Sequence, residues 1–388
     1  MKICRIATVP YQINVFLREQ IIATLAAGHE VIIIVSPSEE VADFCLQHGV
    51  RYIPVQMERR LGPLRDFISL SRLIWVLYLE KPDVMHSISS KAGFLAAIAG
   101  WITRVPVRLH VFAGLPWLGM EGIVRRIAIA CDKLIVKLNN RCYADSVSEV
   151  KVLESNRVAC PGEIITLGEG SVSGVNLERF DGISLRYKRE EVLASCNVPP
   201  DAITIAFVGR VTREKGIFEL ANAFMNLADR FTALHLLIIG PLDDVDPVPQ
   251  AVLHMLHDHP RVRFLGYQQK PELYLAQSDI LVIPSYREGF CNVVIEAACL
   301  GVPAVGARVM GLVDSIVDGK TGVLVEAKTV EPLVVAIERL LNDASYRELL
   351  GNNAKERVHR NFSNHYINGL VMTEYSQFFK KTHQVYEV

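Results

Sequence analysis

Strand-like and helical patterns alternate along most of this 388-residue chain. In the first run, predicted strands cover 3–9, 29–35, 52–55, 83–86 and 107–112, and predicted helices cover 14–27, 41–48, 64–79 and 94–102. A second run has predicted strands at 203–208, 235–240, 262–265, 279–284, 303–305 and 323–325. Because parallel strands need long crossover connections, this alternation predicts doubly wound α/β sheets, which bind ligands beyond the carboxyl ends of their strands.

The chain is long enough for two domains. Its 388 residues exceed one ordinary hydrophobic core, and glycine and serine cluster between the two runs, from Gly168 to Asn176. We therefore predict a Rossmann-like N-terminal domain over 1–185 and a Rossmann-like C-terminal domain over 190–365.

Charge and cysteine content limit the class of protein. The formal net charge of −1 gives no reason to expect a nucleic-acid partner, although residues 51–141 carry 14 Lys and Arg against 6 Asp and Glu. The eight cysteines form no C-x-x-C pair, which is typical of a reduced protein without a structural metal. The polar residues Gln12 and Asn14 interrupt the apolar sequence near the N-terminus. No apolar run approaches the length of about 18 residues that a membrane-spanning helix needs. We expect a cytoplasmic protein with neither a signal peptide nor a membrane span.

The strongest candidate site is the stretch from Pro284 to Ala297. It follows a buried strand, and Gly289 permits a sharp turn before a helix. Unpaired amides at a helix start suit an anion such as a diphosphate. In this stretch those amides are predicted to belong to Phe290, Cys291 and Asn292.

Two carboxylates bracket this helix start. Glu288 lies at the turn and Glu296 eight residues later, about 12 Å along a helix at its rise of about 1.5 Å per residue. One carboxylate can hold sugar hydroxyls beside the phosphates, and the other a ribose. The plainer interpretation is a Glu288 that complements the helix dipole and a solvated Glu296. The apolar neighbours Ile295 and Ala297 favour a buried Glu296, which needs a partner.

Cations follow the first strand of the second run. Thr212 is predicted to cap a helix that runs to residue 231, which places Arg213 and Lys215 in its first turn. Cations there oppose the helix dipole unless an anion binds, so Arg210 and Lys215 are predicted to clamp a diphosphate. The alternative is a pair of isolated surface cations.

The first half offers weaker candidates. The turn 8–14 lacks the glycine-rich phosphate fingerprint, which argues against a dinucleotide bound there by that device. A histidine, hydroxyls and a lysine group within 86–91, and His110 precedes a glycine-containing loop. The ordinary interpretation of a histidine at a strand end is a core residue whose ring is hydrogen-bonded within the protein. His110 is the better ligand candidate because strand, histidine and glycine loop coincide.

The helix 64–79 is broadly apolar and carries Arg65 and Arg72. A core helix is the default interpretation. The alternative is a helix that rests on an anionic membrane. Its expected partners in that contact are Trp101, Trp117, Met120, Arg125 and Arg126.

Motifs of the second run resemble, in order and spacing, the retaining glycosyltransferases of family 4, which have the GT-B fold. These motifs are Gly209-Arg210 with Lys215-Gly216, Gly266, Pro284-Ser285, Glu288-Gly-Phe290, Glu296-Ala297, Gly301-x-Pro303 and Asp318-Gly-x-Thr-Gly322. The first half is similar to the bacterial subgroup that extends polyprenyl-diphosphate-linked sugars for O-antigen, capsule or glycoprotein glycans. That similarity lies in Gly28-His-Glu-Val31, Asp83-x-x-His86-Ser87 and Gly170-Ser-x-x-Gly-Val175.

The resemblance implies two facing Rossmann-like domains with a cleft between them, an acceptor-binding first domain, and a helix 366–388 that returns to it. It implies a UDP-sugar donor, with N-acetylhexosamine as first choice, a polyprenyl-diphosphate-linked saccharide acceptor, and neither metal nor cofactor. The implied location is the cytoplasmic face of the inner membrane. The family's glycine pair in the first N-terminal turn is absent here.

The resemblance also implies roles for single residues. Arg210 and Lys215 would hold the donor diphosphate, Glu288 the donor sugar, Glu296 the ribose, His110 the sugar near its anomeric carbon, and Gly266-Tyr267 the base. Gly209, Gly289, Phe290, Cys291 and Asn292 complete the implied nucleotide site. Two alternatives stay open: a nucleotide-sugar 2-epimerase of the same fold, and a non-catalytic bilobal sugar-binding protein.

Overall fold

A computed structural model of the protein describes residues 1–58, 62–181, 185 and 188–384, with side chains as far as residue 379. The chain forms two units. The first comprises Met1–Ser173 and Asn364–Val388, and the second comprises Gly174–Ser363. The division after Ser173 lies within the glycine- and serine-rich stretch Gly168–Asn176 and upstream of the domain bounds 185 and 190.

The first unit is built on a seven-stranded parallel sheet. Its strands are β1 (Lys2–Ile6), β2 (Glu30–Val35), β3 (Arg51–Pro54), β4 (Val84–Ile88), β5 (Val107–Phe112), β6 (Arg141–Ala144) and β7 (Ile164–Thr166). Its crossover helices are α1 (Arg18–Ala26), α2 (Glu39–His48), α3 (Pro63–Glu80), α4 (Ser90–Ile102), α5 (Gly122–Leu138) and α6 (Val147–Ser155). The strands are ordered β3-β2-β1-β4-β5-β6-β7.

The second unit repeats the plan with six strands. They are β8 (Ile203–Val208), β9 (Leu234–Ile239), β10 (Val262–Gly266), β11 (Ile280–Ile283), β12 (Ala304–Ala307) and β13 (Gly322–Val325), ordered β10-β9-β8-β11-β12-β13. Its helices are α7 (Arg189–Ser195), α8 (Ile217–Ala228), α9 (Gln250–Asp258), α10 (Glu272–Leu275), α11 (Asn292–Cys299), α12 (Leu312–Ser315), α13 (Glu331–Asn342) and α14 (Ala344–Asn361).

Apolar runs without alternation make the central strands. Residues 31–35, a run of valine and isoleucine only, are all buried in β2. A strand covered by helices on both faces needs such a run, because both sets of side chains lie in the core. The two parallel sheets confirm the predicted doubly wound α/β class.

The last helix, α15 (Asn364–Gln384), belongs to the first unit. Its Ile367, Val371 and Tyr375 are buried at helical spacing. The Tyr143 hydroxyl donates to the Glu374 carboxylate at 2.6 Å, which ties α15 to β6. None of the helices in the described part of the chain has both the length and the apolar character needed to cross a bilayer.

Candidate functional site

The second sheet reverses its strand order between β8 and β11. These strands are parallel neighbours, and the loops 209–216 and 284–291 leave their carboxyl ends. Doubly wound sheets bind ligands in the crevice at such a reversal. The predicted diphosphate and sugar residues lie on these two loops.

Lys215 and Glu288 meet across the reversal point. The Lys215 ammonium lies 2.5 Å from a Glu288 carboxylate oxygen, and the two side chains are 24% and 13% exposed. A β-carbon on Gly216, whose φ is +72°, would lie 2.2 Å from the Pro284 carbonyl oxygen. Only glycine permits both this backbone angle and this approach. The close contact of the two loops therefore positions the ion pair.

The predicted helix from Thr212 to residue 231 is wrong at its start. Residues Arg213–Lys215 form one 3-10 turn, Gly216 adopts a left-handed conformation, and α8 begins at Ile217. The Thr212 side chain caps no helix. Lys215 is therefore outside the first turn of α8, and the carboxylate of Glu288 compensates its charge.

Arg210 projects from the same loop toward a different carboxylate. Its guanidinium is ion-paired with Asp243 in the loop after β9. In that loop Asp246 accepts a hydrogen bond from the Glu214 amide at 2.7 Å, and Arg213 lies 3.4 Å from the same carboxylate. Neither aspartate was predicted to belong to the site. Their position after a neighbouring strand is the signal that points to the same edge of the sheet.

The glycine turn before α11 is close-packed. Gly311 has a φ of +80°, and a β-carbon there would lie 2.5 Å from the Gly289 carbonyl oxygen. Phe290 and Cys291 are each 6% exposed, and Cys291 provides no side-chain cap for α11, which starts at Asn292. The chain between Glu288 and α11 is a loop, so the predicted helical separation of about 12 Å from Glu288 to Glu296 does not apply.

Tyr286 joins this site through a buried acid that was not predicted from the sequence. Glu219 is 4% exposed, and its two oxygens accept from the Tyr286 hydroxyl at 2.8 and 2.9 Å. Burial, with Glu219 adjacent, raises the pKa of Tyr286 to about 12. The Tyr286 amide donates to the Glu214 carbonyl oxygen at 2.8 Å. These bonds hold the loop of Glu288 against the loop of Lys215.

Glu296 lies half-buried in α11. Loss of hydration raises the pKa of its carboxyl group to about 7, an effect that nearby Arg179 opposes and Glu272 strengthens. Arg179 and Glu272 are themselves 2.8 Å apart. Near neutral pH the Glu296 carboxyl group is therefore present in both forms: the protonated form can donate a hydrogen bond, and the ionised form can only accept one.

We expect Glu296→Gln to stabilise the unliganded protein at pH 8 by on the order of 1–2 kcal/mol, and by much less at pH 5. The folded pKa is above the usual value of 4.5, so the wild type loses stability as pH rises from 4.5 to 7. The glutamine variant avoids this loss. Urea unfolding at both pH values measures it, with the exposed Glu348→Gln as control. An equal gain at both pH values would contradict the titration.

The predicted base contact lies at the end of β10. Gly266 is the last residue of this strand, and the Tyr267 ring that follows is 70% exposed. An exposed aromatic ring beside the sheet edge is available for stacking. The base contact stays a prediction.

His110 lies inside the first unit rather than at an open strand end. The side chain is fully buried, and its Nδ1 is 2.9 Å from the Ser87 hydroxyl. A β-carbon on Gly93 would lie 2.2 Å from the ring, so α4 covers it. Burial lowers the pKa of His110 to about 3. The ring is neutral and closed to solvent in this structure. The sugar contact of His110 stays a prediction.

The predicted group at 86–91 separates into three interactions. His86 is buried, with Nδ1 3.0 Å from Arg5 and 2.7 Å from the Tyr375 hydroxyl. Ser89, at a φ of +72°, places its hydroxyl 2.9 Å from Thr8. Lys91 is 2.6 Å from Asp66.

In the first N-terminal turn, which lacks the glycine pair, a side chain binds backbone amides. The Gln12 side-chain oxygen accepts from the amides of Thr8 at 3.2 Å and Val9 at 3.4 Å. Gln12 begins a short π-helix, Gln12–Leu17. The amides of Thr8 and Val9 are therefore occupied by the chain's own carboxamide.

In the described part of the chain, no three His, Cys, Asp or Glu side chains gather as a metal site would require. Independence from metals stays a prediction.

Two protein-family models match the chain. The model for glycosyl transferases group 1 matches residues 188–357, and the model for a glycosyl transferase 4-like domain matches residues 13–158. A Staphylococcus aureus protein named capsular polysaccharide biosynthesis glycosyltransferase CapM is 31% identical over 331 residues, which are 84% of this chain and 85% of that protein.

Solved structures show the same fold. An Anabaena protein, Alr3699/HepE in complex with UDP, aligns with a TM-score of 0.77 at 17% identity, over 97% of this chain and 100% of that chain. A Listeria monocytogenes protein described as a putative UDP-N-acetylglucosamine 2-epimerase aligns with a TM-score of 0.65 at 15% identity, over 98% and 97%. With the two Rossmann-like sheets, these matches confirm the predicted GT-B fold class.

Proposed function

Because the chain belongs to the group 1 glycosyl transferases, we propose that it is a retaining glycosyltransferase that moves a sugar from UDP onto a lipid-diphosphate-linked saccharide. The donor sugar we propose is an N-acetylhexosamine, and the product is part of a bacterial surface polysaccharide. The names of the relatives support a nucleotide-sugar donor and a capsule-type glycan.

The observation that carries this proposal is the Lys215–Glu288 pair at the strand reversal of the second sheet. In the proposed complex Lys215 and Arg210 face the donor diphosphate, and the amides at the start of α11 add to the positive field. Glu288 accepts hydrogen bonds from donor-sugar hydroxyls. Glu296 accepts them from the ribose.

In the proposed reaction the bond between the anomeric carbon and the UDP oxygen breaks as the acceptor oxygen attacks from the same face. The acceptor proton passes to the departing phosphate oxygen, so no protein nucleophile is needed. Negative charge grows on the diphosphate as the bond breaks. Fixed cations and helix amides stabilise that charge more in the transition state than in the bound donor, and this lowers the barrier.

A panel of UDP- and GDP-sugars tested with a synthetic lipid-diphosphate sugar decides the substrate class. We expect transfer from one UDP-sugar, with the anomeric configuration retained in the product by NMR and turnover unaffected by EDTA. Inverted product would reject the retaining reaction. Loss of turnover with EDTA would reject metal independence.

A 2-epimerase is the second candidate, because the fold is shared with a protein described as a putative epimerase. Product analysis of UDP-N-acetylhexosamine incubated without acceptor separates the two. Appearance of the 2-epimer would favour this alternative over transfer.

A further inference from the structure

The outer side of α3 carries apolar side chains that the fold leaves uncovered. They are separated by one, three or seven positions and are 53–81% exposed. They are Leu64, Phe67, Ile68, Trp75, Tyr78 and Leu79. This spacing places them on one face of the helix, opposite the buried Leu73, Val76 and Leu77. Folding of the first unit therefore uses only one of the two apolar faces of α3.

The uncovered surface extends onto the neighbouring helices. α4 packs beside both α3 and α5. At the end of α4, Trp101 is 59% exposed. On α5, Ile123 and Ile127 are 67% and 50% exposed. Trp117, expected to join this surface, is instead buried and donates to Asp132 at 2.7 Å.

Exposed charge on these three helices is positive. Arg72 on α3 and Arg126, Lys133 and Lys137 on α5 are exposed. Arg65 is also exposed but is ion-paired with Glu58 at 2.5 Å, and the exposed Arg104 and Glu121 follow α4 and precede α5. The carboxylates of the same helices are engaged within the unit. Asp66 is ion-paired with Lys91, Glu80 is ion-paired with Lys2 at 3.0 Å, and Asp132 accepts from Trp117.

We propose that the exposed sides of α3, α4 and α5, here called the basic apolar face, dock on an anionic lipid bilayer. Isoleucine and phenylalanine enter the acyl boundary, tryptophan and tyrosine favour the headgroup level, and the flanking cations meet lipid phosphates. A second copy of the chain is a poorer occupant, because symmetric pairing would bring like charges together. Docking on a bilayer would bring the enzyme to the lipid-linked acceptor of the proposed function. Vesicle binding itself does not depend on transfer activity.

Flotation of the full chain with vesicles tests the basic apolar face. We expect binding to vesicles that contain phosphatidylglycerol, weaker binding to phosphatidylcholine alone, and release by salt. The variant Phe67→Ser/Trp75→Ser is expected to lower partitioning about tenfold or more, because two large side chains no longer enter the lipid. Arg72→Gln is expected to lower it about fivefold. Leu46→Ser, which removes an 85% exposed leucine of α2, is the matched control.

Each outcome decides the proposal. Equal partitioning of wild type and Phe67→Ser/Trp75→Ser would overturn it, and so would equal binding to both kinds of vesicle. A dimer seen by light scattering and lost in the double variant, without a change in vesicle binding, would assign the face to a second copy. Thermal unfolding verifies that the variants fold. Transfer onto a short-chain, water-soluble acceptor is expected to be unchanged in the double variant, so docking and the proposed transfer can fail separately.

Discussion

Lys215→Ala is expected to lower kcat for sugar transfer by about a hundredfold or more. Lys215 is a partly buried cation, 24% exposed, at the strand reversal of the second sheet. In the proposed reaction its charge stabilises the departing diphosphate, and a hundredfold loss corresponds to about 2.7 kcal/mol of transition-state stabilisation. The variant should also bind UDP more weakly, which isothermal titration calorimetry measures alongside steady-state kinetics.

The matched control for this prediction is Arg213→Ala. Arg213 lies in the same 3-10 turn and also has a carboxylate partner, Asp246 at 3.4 Å, but its side chain is 67% exposed. An exposed pair of this kind contributes about 0–1 kcal/mol, so we expect less than about a fivefold change in kcat. Similar losses in both variants, or near wild-type turnover in Lys215→Ala, would remove Lys215 from the proposed mechanism.

Much of the fold could be predicted because its signals are local. The strands at 107–112 and 203–208 have the predicted bounds. The first alternates apolar residues with Arg108 and His110, the second is almost wholly apolar, and both end at a loop. The two-sheet α/β class followed from their repetition. Strands β6 and β7 were not predicted. β6 begins with the polar Arg141 and β7 has three residues, so neither has the continuous apolar run that identified the equally short β11.

The start of α8 could not be predicted from local preference. Thr212 followed by acidic Glu214 has the composition of a helix start, yet the chain makes one 3-10 turn and breaks at Gly216. The break is set by a residue far along the chain, because the Pro284 carbonyl oxygen occupies the space where a side chain at position 216 would lie. Contacts of this kind override capping preference and do not appear in a sequence window.

The partners of the site's charges were the other unpredictable part. The two cations at 210 and 215 were singled out, but the sequence does not reveal that Arg210 meets Asp243 while Lys215 meets Glu288. Burial of His110 was similarly hidden, because it depends on Gly93 letting α4 approach the ring. Which charges are paired before a ligand arrives is decided by the packing of loops that are remote in sequence.

The Lys215–Glu288 ion pair leads to a second prediction with a large effect, in which turnover falls but UDP binding does not weaken. Glu288→Gln is expected to lower kcat by about a hundredfold or more, because the proposed contact to the donor sugar loses its charge. Its effect on UDP binding should be opposite to that of Lys215→Ala. Removing the carboxylate 2.5 Å from the Lys215 ammonium frees that cation for the diphosphate, so UDP should bind as tightly as to wild type or more tightly.

Glu214→Gln is the matched control for the glutamine substitution, because Glu214 is also ion-paired, to Arg287 at 2.8 Å, on a loop at the same sheet edge, but is 40% exposed. We expect its kcat to change by less than about fivefold. If Glu288→Gln weakened UDP binding and turnover together, the carboxylate would serve to hold Lys215 in place. Loss of turnover with unweakened UDP binding would instead assign Glu288 to the sugar, since a structural support for the diphosphate site cannot be removed without loss of nucleotide affinity.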